Sequence, residues 1–223
     1  MLRHGRFALF VVLVVAIAAA SSATLAVAGN GPLFRVTVTN LTRSQILSPP
    51  IVVVHDGEYA LFTPGEPASS ELAQLAEDAM EGPLLALLGT IPEVSLATVG
   101  GGGVPPGESL TIDVAARGRF DSVSVVGMLV TTNDAFYAAT LNATHARGKR
   151  EAYALAWDAG SEANTEECAH IPGPPCFNGG VRVTDGAEGF VHVHGGVHGH
   201  GQLAAETYDW RNPAALVTVE RIR

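Results

Sequence analysis

The chain has 223 residues, with 13 Lys and Arg against 22 Asp and Glu, a formal net charge of −9. With no Lys/Arg run and no basic patch, nucleic-acid binding is excluded as a function class. The surplus of carboxylates suits cation binding instead, and the length suits one domain, including a large β-sandwich.

The first residues read as a targeting segment. Arg3, His4 and Arg6 form a basic start, residues 7–20 are an unbroken apolar run, and Ala26 and Ala28 make an A-x-A cleavage pattern. This is the anatomy of a secretory signal peptide, residues 1–28, leaving a domain of residues 29–223. The apolar run is shorter than the roughly 20 residues that span a bilayer. An uncleaved anchor running to Ala28 is the alternative. Cleavage would remove Arg3 and Arg6, leaving 11 basic residues against 22 acidic ones, a net charge of −11. The expected location is secreted, periplasmic or extracellular, with no membrane span after cleavage.

Strand signals dominate the rest. Residues 34–39, FRVTVT, alternate apolar and polar, as a half-buried strand does. Residues 49–56 hold a short β-branched run closed by Asp56-Gly57. A helix is expected within residues 68–80, where Leu72, Leu75, Ala76 and Ala79 fall at helical spacing, with Ser69 or Ser70 as cap and Glu71 in the first turn. A second helical turn, GPLLALLG, follows. Residues 99–109 are glycine-rich, but no Lys-Ser/Thr follows, so they are no phosphate loop. Further strands are expected at 110–115, 122–132 and 151–157, from Val181 and Val183, and at 216–222. Short strands at close spacing with one or two short helices predict an all-β fold, an antiparallel β-sandwich.

Cys168 and Cys176 bracket a loop with three prolines and one glycine. In an exported chain such a pair oxidises, and closing the loop contributes roughly 2–3 kcal/mol on the chain-entropy account. A Cys/His metal site using His170 is the weaker alternative. Asn40 and Asn142 stand in N-x-[ST] sequons.

No G-x-S-x-G or H-E-x-x-H motif is present, so no catalytic residue is expected and the chain is not read as an enzyme. Two constellations could hold metal. One is acidic: Asn133-Asp134 at one strand end, and Asp158, Glu162, Asn164 and Glu166 after another, in a loop opened by Gly160. Such oxygens suit calcium, although the spacing is not that of an EF-hand and a solvated acidic loop is the plainer reading. The other is VHVHGGVHGH, residues 191–200, with His192, His194, His198 and His200. On a strand His192 and His194 share one face, with Val191 and Val193 on the other. Four imidazoles could bind zinc or copper as a secondary site. The plainer reading is strand-end histidines held by hydrogen bonds, with Asp209 as a candidate orienter.

Several stretches together resemble the spondin-N (F-spondin) domain in its single-domain bacterial form. They are FRVTVTNLT, LSPPIVVVHDGEYALF, GEPASSELAQLAEDA, MLVTTNDAF, WDAGSEANTE, GFVHVHGGVHG and DWRNPAALVTVERI, in order across residues 34–222. The resemblance implies a C2-like sandwich holding Ca2+ at one end, with Asp134 and Asp158 as ligands and Glu162 where animal members more often have Asp. It further implies a secreted binding or adhesion module whose partner is an extracellular protein or glycan. The alternative function is a secreted metalloprotein or metalloenzyme that uses the histidine cluster with Zn2+ or Cu2+.

Overall fold

The computed structural model describes residues 32–116, 118–143 and 148–223; the expected signal peptide, residues 1–28, lies outside the described residues. Among them are nine strands: β1 Leu33–Asn40, β2 Ile51–His55, β3 Val94–Val99, β4 Ser109–Ala115, β5 Ser122–Met128, β6 Ala135–Asn142, β7 Lys149–Asp158, β8 His192–Val193 and β9 Ala215–Arg221. Three short helices accompany them: α1 Ser70–Asp78, α2 Glu81–Leu88 and α3 Ala205–Tyr208. The fold is all-β, as the periodicity predicts. The order across the antiparallel sheet is β3-β2-β5-β6-β7-β9-β1-β4, with β8 beside β7.

The sheet curls because one strand serves both halves. Residues 149–154 of β7 pair with β9, and residues 155–158 pair with β6. The halves enclose one apolar cluster in which Phe34, Val36 and Val38 of β1 and Val217 and Val219 of β9 join Val52, Val54, Val125 and Tyr137. The outer face of β2, β5 and β6 is covered as well. Ile51, Val53, Val126 and Phe136 pack with Leu72 and Leu75 of α1 and Leu84 and Leu88 of α2. Both faces of β2 and β5 are therefore buried at every position. This is why those two strands read as continuous apolar runs while β1 alternates.

The helix signals act as expected. Ser69 Oγ accepts the Leu72 amide at 3.2 Å, and Ala79 closes α1 in the left-handed region. Three expectations differ from the structure. Val181 and Val183 begin no strand; Arg182 between them ion-pairs with Asp78 at the end of α1, which holds the segment against the helix rather than the sheet. β5 ends at Met128, so Asn133 and Asp134 do not end that strand; they lie in the turn that opens β6. β3 and β6 carry patterns too weak to signal strands in the sequence. The Cys168–Cys176 disulfide is present and closes a 3-10 turn, Cys168–His170. Asn40 is buried, and its amide donates to Gln45 O and Val104 O, whereas Asn142 is exposed. No helix among the described residues is long and apolar enough to cross a membrane.

Leu75 is fully buried between α1 and the sheet, while Met80 is 45% exposed. In urea denaturation Leu75→Ala is expected to cost roughly 2–5 kcal/mol, and Met80→Ala to change stability by no more than about 0.5 kcal/mol.

Candidate metal centre

The centre lies where β6 begins and β7 ends. Ala135 pairs with Asp158 in the β6–β7 ladder, so Asp134 stands beside Asp158. Both are fully buried. Asp134 Oδ2 accepts the Ser161 amide at 2.8 Å, the Ser161 hydroxyl at 3.2 Å and the Glu162 amide at 3.0 Å, whereas its Oδ1 has no hydrogen-bond partner. Asp158 Oδ1 accepts the Gly160 amide at 2.7 Å, and its Oδ2 accepts from Asn164 Nδ2 at 2.6 Å. Gly160 makes this loop possible. Its φ is +66°, and a Cβ there would lie 2.4 Å from the Phe190 carbonyl oxygen. The same contact is sealed by the Gly189 amide donating to Gly160 O at 2.8 Å.

Burial dominates the electrostatics. It pushes the Asp134 carboxyl up to about 7; the neighbouring Asp158 adds to this, and the Glu162 and Ser161 donors offset part of it. Burial also raises Asp158, against the opposing effect of the Asn164 and Gly160 hydrogen bonds. Glu162 is likewise pushed up to about 7 by burial, opposed by Arg182. Its carboxyl is 1% exposed, and Oε1 lies 3.6 Å from Arg182 Nε. The same guanidinium pairs with Glu77 at 2.5 Å and Asp78 at 2.6 Å. Glu162 thus sends its backbone to Asp134 and its side chain to Arg182.

The histidine stretch divides in two. His192 sits opposite Asp158 in the β7–β8 ladder. Its Nε2 is 3.7 Å from Asp158 Oδ1 and 3.9 Å from Glu188 Oε2. His194 Nε2 is 3.7 Å from Asp158 Oδ2 and bonds Asn164 Oδ1 at 3.0 Å, while its Nδ1 accepts the Gly196 amide at 2.9 Å. Both imidazoles therefore lean on one carboxylate. With both nitrogens engaged, His194 is a neutral structural residue; burial lowers its pKa to about 4. The expected valine alternation does not run, because β8 is only two residues long: Val191 is buried and Val193 is 50% exposed. His198 and His200 are exposed, with ring centroids 5.5 Å apart. Their backbone amides donate to Glu166 at 2.6 and 2.7 Å. Glu166, expected among the loop oxygens, is thus a clamp on the histidine turn. Asp209 accepts the Val197 amide at 3.1 Å.

Among the described residues, three metal-capable side chains bring ligand atoms within 4.8 Å of one another at Asp158, Glu188 and His192. This group takes one member from each constellation that the sequence suggests and adds Glu188. Asp134, Glu162, His194, His198 and His200 are not part of it. The signal for Glu188 was available in its position four residues before His192 across Gly189, whose φ is +80°. Asn164 ties the centre together: its Nδ2 reaches Asp158 and, at 3.5 Å, Glu188 Oε1, and its Oδ1 holds His194.

The raised Asp134 carboxyl has a stability consequence with a definite sign. Its folded pKa, about 7, lies above the unfolded value near 3.8. The folded state then binds more protons between these values, so stability falls as pH rises from about 4 to about 7. Each pH unit of displacement corresponds to about 1.4 kcal/mol. In the presence of chelator, wild type is expected to lose stability relative to Asp134→Asn across this window, measured by denaturant melts at stepped pH. A constant gap would show that the carboxyl is ionised throughout. The chain matches no protein-family model and no curated protein, so the chemistry of this centre is argued from its own residues.

Proposed function

We propose that the chain is a non-catalytic, calcium-ordered binding module. The supporting observation is the pair Asp134 and Asp158: two fully buried carboxylates side by side at strand ends, with Asp134 Oδ1 lacking any partner. Two adjacent buried carboxylates repel, and a divalent cation converts that repulsion into attraction. Oxygen donors of this kind suit calcium, which accepts an irregular shell completed by backbone carbonyls and water, better than magnesium, which demands tight octahedral geometry. Asp134 and Asp158 would hold the ion. Glu162, facing Arg182, serves better as that cation's counterion than as a ligand. The ion would lock the segment after β7 onto the sheet end. That region also carries exposed apolar side chains, Phe177, Val181, Phe190 and Val193, which fit a surface for an extracellular protein or glycan. The resemblance to secreted spondin-N domains points the same way.

An ion that binds only the folded chain stabilises it, by about 2.7 kcal/mol at a hundredfold excess over Kd. Thermal melting in EDTA, repeated with millimolar calcium, is expected to show a rise in Tm for wild type. Asp134→Asn and Asp158→Asn should lose the rise, and Glu162→Gln should keep it. A wild-type Tm indifferent to calcium would overturn the reading.

A further inference from the structure

We infer that Asp158, Glu188 and His192 form a second cation site, selective for a first-row transition ion such as zinc and distinct from the calcium position proposed at Asp134. Asp158 is common to both. Asp134 belongs only to the calcium position, and Glu188 and His192 only to this one.

The orientation of His192 carries the argument. Its Nδ1 lies 3.1 Å from the Val193 carbonyl oxygen. A carbonyl only accepts, so Nδ1 carries the hydrogen, and in the neutral ring the lone pair is then on Nε2. That Nε2 atom is buried and has no hydrogen-bond partner, yet it points between two carboxylate oxygens at 3.7 and 3.9 Å. A lone pair and two carboxylates converging on one point repel unless a positive charge lies between them. A backbone carbonyl fixing the tautomer of an imidazole is also how metal-binding histidines are held.

The neighbouring residues hold the carboxylates in the matching orientation. Asn164 takes Asp158 Oδ2 and Glu188 Oε1. Toward His192 stand Glu188 Oε2 and Asp158 Oδ1, the latter also accepting the Gly160 amide and keeping a second lone pair. The backbone is fixed too. Asp158 and His192 face one another in the ladder, and the turn bearing Glu188 is bonded to Gly160 through the Gly189 amide.

The donor set decides the ion. One imidazole and two carboxylates suit zinc, whereas calcium wants six to eight oxygens. With bonds of about 2.0–2.2 Å, tetrahedral ligands are separated by roughly 3.3–3.5 Å. The observed 3.7 and 3.9 Å are a few tenths wider, and Glu188, one-third exposed, can close the gap by a small rotation. A tetrahedral shell then needs one further ligand, which water can supply.

The test is zinc titration by calorimetry on the chelator-stripped protein in millimolar calcium, with cobalt substitution monitored by visible absorption. One zinc per chain is expected, with a cobalt spectrum of tetrahedral nitrogen and oxygen ligation. His192→Ala and Glu188→Gln should each weaken zinc at least tenfold while keeping the calcium-dependent rise in Tm. Asp134→Asn should lose that rise and keep zinc. Melting in EDTA checks that every variant is folded. Absence of zinc binding overturns the inference, and the calcium reading stands or falls separately. Zinc binding lost in a His198→Ala/His200→Ala double variant but kept in His192→Ala also overturns it, by assigning the ion to the exposed pair.

Discussion

The non-sheet part of this molecule depends on acidic side chains accepting backbone N–H groups. Between β7 and β9 the chain runs through residues 159–214 with a two-residue strand, one 3-10 turn and one helical turn. Ladders cannot satisfy the buried amides of such a segment, and a buried amide without a partner is costly. Carboxylates take the place of ladders. Asp134 holds the amides of Ser161 and Glu162, Asp158 that of Gly160, Glu166 those of His198 and His200, and Asp209 that of Val197. The acidic composition therefore has a structural origin as well as an electrostatic one. The same requirement brings carboxylates to one end of the sheet, where their own charge becomes the next difficulty.

That difficulty is met in different ways at neighbouring positions. Glu77, Asp78 and Glu162 share the Arg182 guanidinium. Glu166 is satisfied by amides. Asp158 has hydrogen bonds on both oxygens and a histidine beyond each. Asp134 has three donors on one oxygen and none on the other. The cation readings arise at two of the buried atoms left without a hydrogen-bond partner, Asp134 Oδ1 and the Nε2 of His192.

Periodicity made most of the sheet legible. β1, β4, β7 and β9 show alternation because one face of each is more buried than the other. β2 and β5 show continuous runs because the helices cover their second face. β6 is not legible because its sequence, AFYAATLN, is rich in small residues that give no alternating contrast. Val181 and Val183 misled because β-branched alternation over three residues is compatible with any extended segment. The site was half legible. Asp158 and His192 stood out by type and position, and the structure joins them through a register that no local pattern specifies. Glu188 and the clamp role of Glu166 depend on how irregular segments fold back, which is set by single hydrogen bonds and glycine geometry rather than by a repeat. Asn40 shows the same limit: the sequon is plain in the sequence, but its burial is a tertiary fact.

β1 pairs with β9 across seven registered positions, Phe34 with Arg221 through Asn40 with Ala215. The earliest strand of the sheet is completed by the latest one. Closing that loop spans nearly the whole described chain, and contacts so distant in sequence form slowly because chain entropy is lost before they can form. Until residues 215–221 are available, β1 has an open edge and the core cluster lacks Val217 and Val219. The β1–β9 ladder and the core cluster around it therefore cannot be completed during synthesis until that last strand arrives.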